Sequence, residues 1–496
     1  MSAATLAAPI LLASLVLGLL YPLFVSTRPT WRQPLLAILS AGLAALVSLS
    51  LVQSWQAPLN QNWLQLYTAN LQLQASDSIP LALEPVDQFW DNAPLEAALR
   101  TYQAQRQLLT APGAASRPAE ADDLDVRIGL LQAVQGQGAE AQVTWQAITK
   151  GEAAPLAQIL SGLWSDPARL LPDAEMVIQT QLRGWFRAQA LTRLYQLQQR
   201  DEALVALEME TRQAALAALG RLAVAAGLPI LGSGVGVILA IGLGIRALRR
   251  RPAAVQPWPV PWDGVTTWQV MVLWGLAFFG TGQVLVPLVG AATGLSLRAA
   301  DPLIQALYAL LSYSALVLAG LGILVASLYP YRGELAKGGW FRAAGRDQAW
   351  VWGLGGYVVA LPVVLGISLV NQQLLGDHGG GNPLLPVIAR SQGGLVALIF
   401  ALVVAILAPF FEETLFRGFF LGSLTQALPV WGAILASSVA FALAHLNLAD
   451  FLPLTALGIV LGVVYTRSRG LLAPMIIHSL WNSGSLISLW LLGGGQ

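Results

Sequence analysis

Apolar residues in this chain come mostly in long, nearly unbroken runs. They lie near 4–25, 35–53, 222–247, 266–290, 303–329, 349–375, 394–424, 428–448, 452–466 and 471–492, the ninth short and the seventh long. A helix needs about 20 such residues to cross a hydrocarbon core. With no water there to satisfy backbone N–H and C=O groups, helices satisfy them internally. The pattern therefore predicts an all-α polytopic membrane protein of about ten transmembrane helices.

One long stretch breaks the pattern. Residues 54–221 are rich in Ala, Leu and Gln and are punctuated by Pro112-Gly113 and Pro118. Within them, 125–150 and 182–216 carry apolar residues at helical spacing. Leu191 to Tyr195 followed by Asp201 to Ala203 looks like one helical hairpin of a tetratricopeptide-type repeat, and Leu130 to Ala147 like another. No 34-residue period connects them, so an irregular helical domain is the preferred reading. The expected organisation is two helices over 1–53, an inserted helical domain over 54–221, a helix and linker over 222–264, and a membrane domain over 265–496.

Composition agrees: 56% of residues are hydrophobic and 11% charged, against about a quarter charged in soluble proteins. The net charge of +1 conceals a division, because 54–221 holds 18 of the 26 acidic residues and 12 of the 27 basic ones. Eleven of the fifteen remaining cations cluster at the ends of apolar runs: Arg28 and Arg32; Arg249, Arg250 and Arg251; Arg332, Lys337, Arg342 and Arg346; Arg467 and Arg469. If the helices alternate, all four clusters fall on one side. The positive-inside rule makes that side cytoplasmic and puts both termini and 54–221 outside it. The first run lacks a basic n-region and is too long for a signal-peptide core, so it is read as an anchor. Trp258, Trp262, Trp268, Trp340, Trp350 and Trp352 fall near predicted helix ends, where interfacial anchoring accounts for them. With no cysteine, disulfides and thiolate chemistry are excluded. Nothing in the charge pattern indicates nucleic acid.

Ionisable residues inside spanning helices cost about 2.5–3.5 kcal/mol on insertion scales and mark function by default. The strongest case is Glu412-Glu413-Thr-Leu-Phe-Arg417, inside one apolar run. Glu413 and Arg417 are i and i+4 on a helix and can pair, while Glu412 points about 100° away. Two more helices carry Phe441-Ala-Leu-Ala-His445 and His478-Ser-Leu-Trp-Asn482. At 1.5 Å per residue, Glu412 lies about 20 Å from Thr425, His445 about 26 Å from Leu428, and His478 and Asn482 about 10 and 16 Å from Leu471. A meeting of the four near mid-membrane is geometrically open. A carboxylate and an imidazole sharing a water form a general base, and a second imidazole with an amide can stabilise an oxyanion. Alternatively Glu412, His445 and His478 could hold a divalent metal such as zinc. The bland readings are packing for Phe441, interhelical hydrogen bonding for Asn482, and a solvated Gly-rich loop for His378.

Glu-Glu-x-x-x-Arg, Phe-x-x-x-His and His-x-x-x-Asn, in that order across about 395–490, resemble the CAAX prenyl endopeptidase and bacteriocin-processing family (CPBP or Abi). The resemblance implies an intramembrane endopeptidase, glutamate-type or metal-dependent, with a peptide or protein substrate, lipidated or not. It makes Glu412 the water-activating base with His445 assisting, His478 and Asn482 the oxyanion hole, and Glu413 and Arg417 the support. Cleavage is expected near the cytoplasmic leaflet. The rival readings are a catalytically silent scaffold that binds a protein partner through 54–221, and a proton relay or transporter. The sequence offers no inverted repeat for the last.

Overall fold

The computed structural model describes residues 32–56, 62–76, 93–110, 118–250, 257–296, 301–338, 346–376, 379–381, 384–390 and 394–493. Among these residues the secondary structure is helical throughout, with no strand. Eight helices are long and apolar enough to span a membrane: α1 (Arg32–Gln56), α2 (Asp201–Arg249), α3 (Gly264–Thr293), α4 (Pro302–Leu335), α5 (Gln348–Leu375), α6 (Gly394–Leu424), α8 (Leu448–Ser468) and α9 (Leu472–Gly493). Between α6 and α8 lies α7 (Val430–Ala444), a helix of 15 residues. The expected run over 4–25, together with His378 and Trp340, lies outside the described residues.

The run over 428–448 yields the short α7 because it contains a turn that hydropathy does not register. His445 caps the helix, Leu446 adopts a left-handed φ of 54°, and the Asn447 side chain accepts from the Ala449 N–H to start α8. An Asn Oδ1 at an N-cap satisfies an otherwise orphaned donor.

The chain divides into two compact units, Met1–Asn60 with Leu228–Ile487, and Gln61–Gly227 with Ser488–Gln496. In the membrane unit, helices approach closely where side chains are small. A Cβ on Gly458 of α8 would lie 2.8 Å from the Ser438 Cβ of α7, a contact that only glycine permits at this spacing. An aromatic core of Trp262, Trp268, Trp274, Phe411, Phe416, Phe419 and Phe441 joins α3, α6 and α7. Trp262 and Trp268 therefore do not anchor the interface as expected. They are buried, and their indole N–H groups donate to Ser423 and Ser40 at 2.8 Å. A buried indole needs such a partner.

In the other unit, Pro118–Val134 pairs with Gly138–Gln146, and Gly184–Leu197 with Asp201–Leu222. Leu130, Leu160, Leu163, Ile178 and Leu194 are fully buried between helices. Near its surface, Glu175 accepts from the Tyr195 hydroxyl and from Arg200, each at 2.6 Å. Those two bonds hold its carboxyl below the ordinary carboxylate range, the tyrosine contributing more. A carboxylate lowered in the folded state stabilises above its unfolded pKa, about 4.3, and loses that contribution as pH falls through the folded value. Hydrogen exchange of the full chain is expected to show protection of 174–200 weakening as pH falls from about 5. Glu175→Gln should flatten that dependence; an unchanged acid limb in the variant would assign it to another group.

Candidate active site

The sequence around Glu412 forces α6 out of regular α-helix. Pro409 has no N–H to give its own helix, and the preceding residues Val403–Leu407 form a π-turn in which the Ala408 N–H bonds to Val403 O. In that i→i+5 register the donor for Val404 O would be residue 409, the proline. Asn482 of α9 supplies the missing donor, its Nδ2 lying 2.8 Å from Val404 O. A second π segment, Thr414–Leu421, follows. Ala408–Glu413 is thus a short α-helical piece between two widened turns, and such turns are frequent at functional sites.

The two adjacent carboxylates have opposite surroundings. Glu413 is fully buried, and its Oε1 lies 2.8 Å from Arg417 Nη1 and 2.8 Å from His478 Nδ1. Arg417 is also buried, stacks 4.5 Å over the Phe441 ring and donates to Gly458 O at 3.3 Å. The pairing expected between Glu413 and Arg417 is present, and Glu413 also reaches across to α9. A carboxylate facing an arginine only accepts, so His478 Nδ1 donates to it, which leaves the ring's other nitrogen out of that bond.

That nitrogen, His478 Nε2, lies 3.8 Å from Glu412 Oε2. Glu412 keeps 16% side-chain exposure and lines a cavity of about 540 Å³ together with Tyr313, His445, Asn447 and Asp450. Tyr313 of α4 donates its hydroxyl to Glu412 Oε1 at 2.8 Å, while Oε2 has no hydrogen-bond partner. The α4 helix can come this close because Gly320, two turns beyond Tyr313, packs on Phe411: a Cβ there would meet the ring at 2.4 Å. His445 stands on the cavity wall at the end of α7, exposed, with Nδ1 bonded to Phe441 O at 2.9 Å. A carbonyl only accepts, so Nδ1 is protonated and Nε2 is again the other nitrogen.

Glu412, His478, Glu413 and Arg417 are therefore brought into one cluster, with His445 on the same cavity. Neither His478 nor Asn482 is among the cavity-lining residues, and only His478 approaches Glu412. Asn482 holds the Val404 carbonyl instead, the interhelical bonding that its sequence context also allowed. Tyr313 escaped the sequence reading because a tyrosine in an apolar run looks like packing; its only signal was the polar Ser312-Tyr313-Ser314 triplet. Among the described residues, no three His, Asp or Glu side chains converge as a metal set. In His478 and His445 the Nδ1 is taken, by Glu413 and by a carbonyl, which leaves Nε2 as the ring atom with which either could hold a metal.

Residues 394–484, spanning α6 to most of α9, match the family described as type II CAAX prenyl endopeptidase Rce1-like. This segment is similar to the Rce1-like CAAX proteases. The chain is similar to the membrane-embedded CAAX protease MroQ of Staphylococcus aureus, 31% identical over 140 residues that cover 26% of this chain and 54% of that protein. It is also similar to YdiL of Bacillus subtilis, 32% identical over 82 residues covering 16% of this chain and 34% of YdiL. A third relative is the UPF0177 protein YxdF of Lactococcus lactis, 27% identical over 143 residues, which are 28% of this chain and 77% of that one. This chain thus spans about half or less of the length of the first two. No solved structure matches. The Rce1-like segment contains Glu412, Glu413, Arg417, His445, His478 and Asn482, whereas Tyr313 comes from α4, outside it.

Proposed function

We propose that the Rce1-like domain is an intramembrane endopeptidase that hydrolyses a peptide bond with water activated by Glu412. One observation carries this reading: Glu412 Oε2 has no hydrogen-bond partner, on a cavity wall, while Oε1 is fixed by Tyr313 and His478 Nε2 lies 3.8 Å away. Oε2 is itself buried, so water reaches it when the cavity wall at Glu412 opens, and it then bonds to both groups at ordinary hydrogen-bond distance.

The chemistry follows from the donor and acceptor roles. Glu412 takes one proton from the water, and the oxygen attacks the carbonyl carbon of the scissile bond. A C–O bond forms as the carbonyl π pair moves onto its oxygen. His478, entering the step as an imidazolium that has taken an Nε2 proton from solvent, donates a hydrogen bond to that oxyanion and keeps the proton. The C–N bond then breaks, and the amine leaves with the proton that Glu412 accepted. His445 Nε2 assists proton movement at the cavity side. Glu413 and Arg417 position His478 without meeting substrate, and Asn482 acts through the 403–407 turn that carries Glu412. No step is assigned to a metal. The substrate is a peptide or protein segment, prenylated or not.

The test is cleavage of a peptide library, with prenylated and plain C-termini, by the purified protein in proteoliposomes, with and without a strong chelator. Wild-type turnover that Glu412→Gln removes and the chelator leaves within about twofold supports a glutamate-type hydrolase; a general base contributes about 10²–10⁴-fold. Turnover lost to the chelator and restored by zinc alone would replace it with a metalloenzyme.

Tyr313→Phe deletes a bond to a charged group, worth about 1.5–3 kcal/mol. Turnover should fall about 10- to 100-fold with the helical fold retained. A fall below twofold would leave Tyr313 as packing.

A further inference from the structure

The cavity that holds Glu412 has one open end and one closed end, and the chain's charges mark them differently. From Glu412 and Tyr313 its wall runs to Gln53 and Ser54 at the C-terminal end of α1, to Gly380 and Gly381, and to Leu446 and Asn447 in the turn between α7 and α8. Hydrogen bonds hold this rim together. Ser54 Oγ donates to Gly379 O at 2.6 Å and accepts from the Leu448 N–H at 3.0 Å, and the Ala449 N–H bonds to Gly379 O at 3.1 Å. Gly379 has a φ of 116°, and a Cβ there would lie 3.0 Å from Ala449 N, so the close approach depends on glycine. Gln53 and His445 are exposed at this end.

Beyond Glu412 in the other direction the bundle is solid. Phe416, Phe419, Phe420, Trp262 and Tyr465 are each at most 2% exposed. Trp262 stacks on Phe419 at 5.4 Å and Trp258 on Tyr465 at 4.6 Å. The segment bearing both tryptophans is tied across the end of α6 by Thr425, which accepts from the Trp258 N–H, and by Gln426, which donates to Val260 O and Trp262 O. Arg469, which lies 4.2 Å over Trp258, and Arg467 belong to this closed end. So does Arg332, in the last turn of α4 beside Tyr331, which packs on Trp262.

Basic residues at helix ends stay on the cytoplasmic side. We infer that the catalytic cavity opens on the non-cytoplasmic side and that its occupant is an extended peptide segment presented from there: the outer juxtamembrane stretch of a membrane-anchored substrate. This rests on Glu412 being catalytic, and it reverses the cytoplasmic-leaflet cleavage expected from the sequence. The apolar part of the wall, Trp274, Phe278 and Leu316, suits a segment emerging from lipid. Glu412 lies beyond the reach of a soluble cytoplasmic peptide because the aromatic layer stands in the way.

The absence of native cysteine makes the test direct. Gln53→Cys places a lone thiol at the rim, and Ala427→Cys places one at the closed end, where the side chain is exposed. Intact cells producing either variant are treated with a charged, membrane-impermeant maleimide. Gln53→Cys should be labelled in intact cells, and Ala427→Cys only after permeabilisation. The reverse pattern overturns the inference, and it does so whether or not Glu412 is catalytic. In proteoliposomes, coupling a bulky polyethylene-glycol maleimide to Gln53→Cys should cut peptide turnover at least tenfold relative to the same variant uncoupled, and coupling to Ala427→Cys should not. Undiminished turnover after complete coupling at Gln53→Cys would show that substrate does not pass this rim.

Discussion

Glu412→Gln is expected to lower turnover by about 10²–10⁴-fold, the range a general base contributes, while leaving the protein as stable as the wild type. Glutamine has the same shape, and its amide oxygen can still accept the Tyr313 hydroxyl that bonds Glu412 Oε1 at 2.8 Å. What disappears is the second carboxylate oxygen, which is buried without a hydrogen-bond partner in the native arrangement and takes the water's proton in the proposed step. Single-turnover cleavage combined with thermal unfolding in detergent separates the two effects. Retention of more than a tenth of the wild-type rate would sink Glu412 as the base. The contrast with Tyr313→Phe is informative: losing one supporting bond should cost less than losing the base.

Arg417→Met is expected to act chiefly on stability, removing about 3–5 kcal/mol, the usual result of breaking a buried ion pair. Arg417 and Glu413 are about 1% and 0% exposed and 2.8 Å apart, so the variant leaves a carboxylate buried without its main cation. The same carboxylate oxygen orients His478 through Nδ1, so activity should fall together with stability. A double replacement, Glu413→Gln with Arg417→Met, should recover part of the stability, since it removes the stranded charge. It should not recover activity, because His478 would lose the carboxylate that fixes its tautomer. A double-mutant cycle from apparent unfolding free energies measures the coupling. A cost below about 1 kcal/mol for Arg417→Met, the range of exposed pairs, would mean that water reaches the pair.

These two predictions separate functions that the sequence places side by side. Glu412 and Glu413 are neighbours, and helix geometry alone tells that they face different ways. Which one faces a cavity and which one a histidine depends on α4 and α9, and neither is near in sequence. Asn482 is the clearest instance. In the motif His478-Ser-Leu-Trp-Asn482 its amide stands one turn from the histidine, which suggests a shared oxyanion site. In the fold it serves Val404 O, because Pro409 cannot. The proline that creates the need lies 73 residues away in the chain.

The sequence by itself determined the helical class, the membrane-spanning runs, the polar residues that such runs do not carry without reason, and the Glu413–Arg417 pair. These are local properties: hydropathy over about 20 residues, i,i+4 spacing and the cost of a buried charge. Tertiary structure alone decided the rest. It brought Tyr313 to Glu412, set His478 between two carboxylates, buried Trp262 and Trp268, and ended α7 at His445. It also closed, with stacked aromatic rings, one end of the cavity that Glu412 lines and left the other open. Each of these depends on which side chains meet across helices far apart in the chain. Hydropathy gives no hint of that, because a lipid-facing residue and a core residue in a membrane bundle are equally apolar.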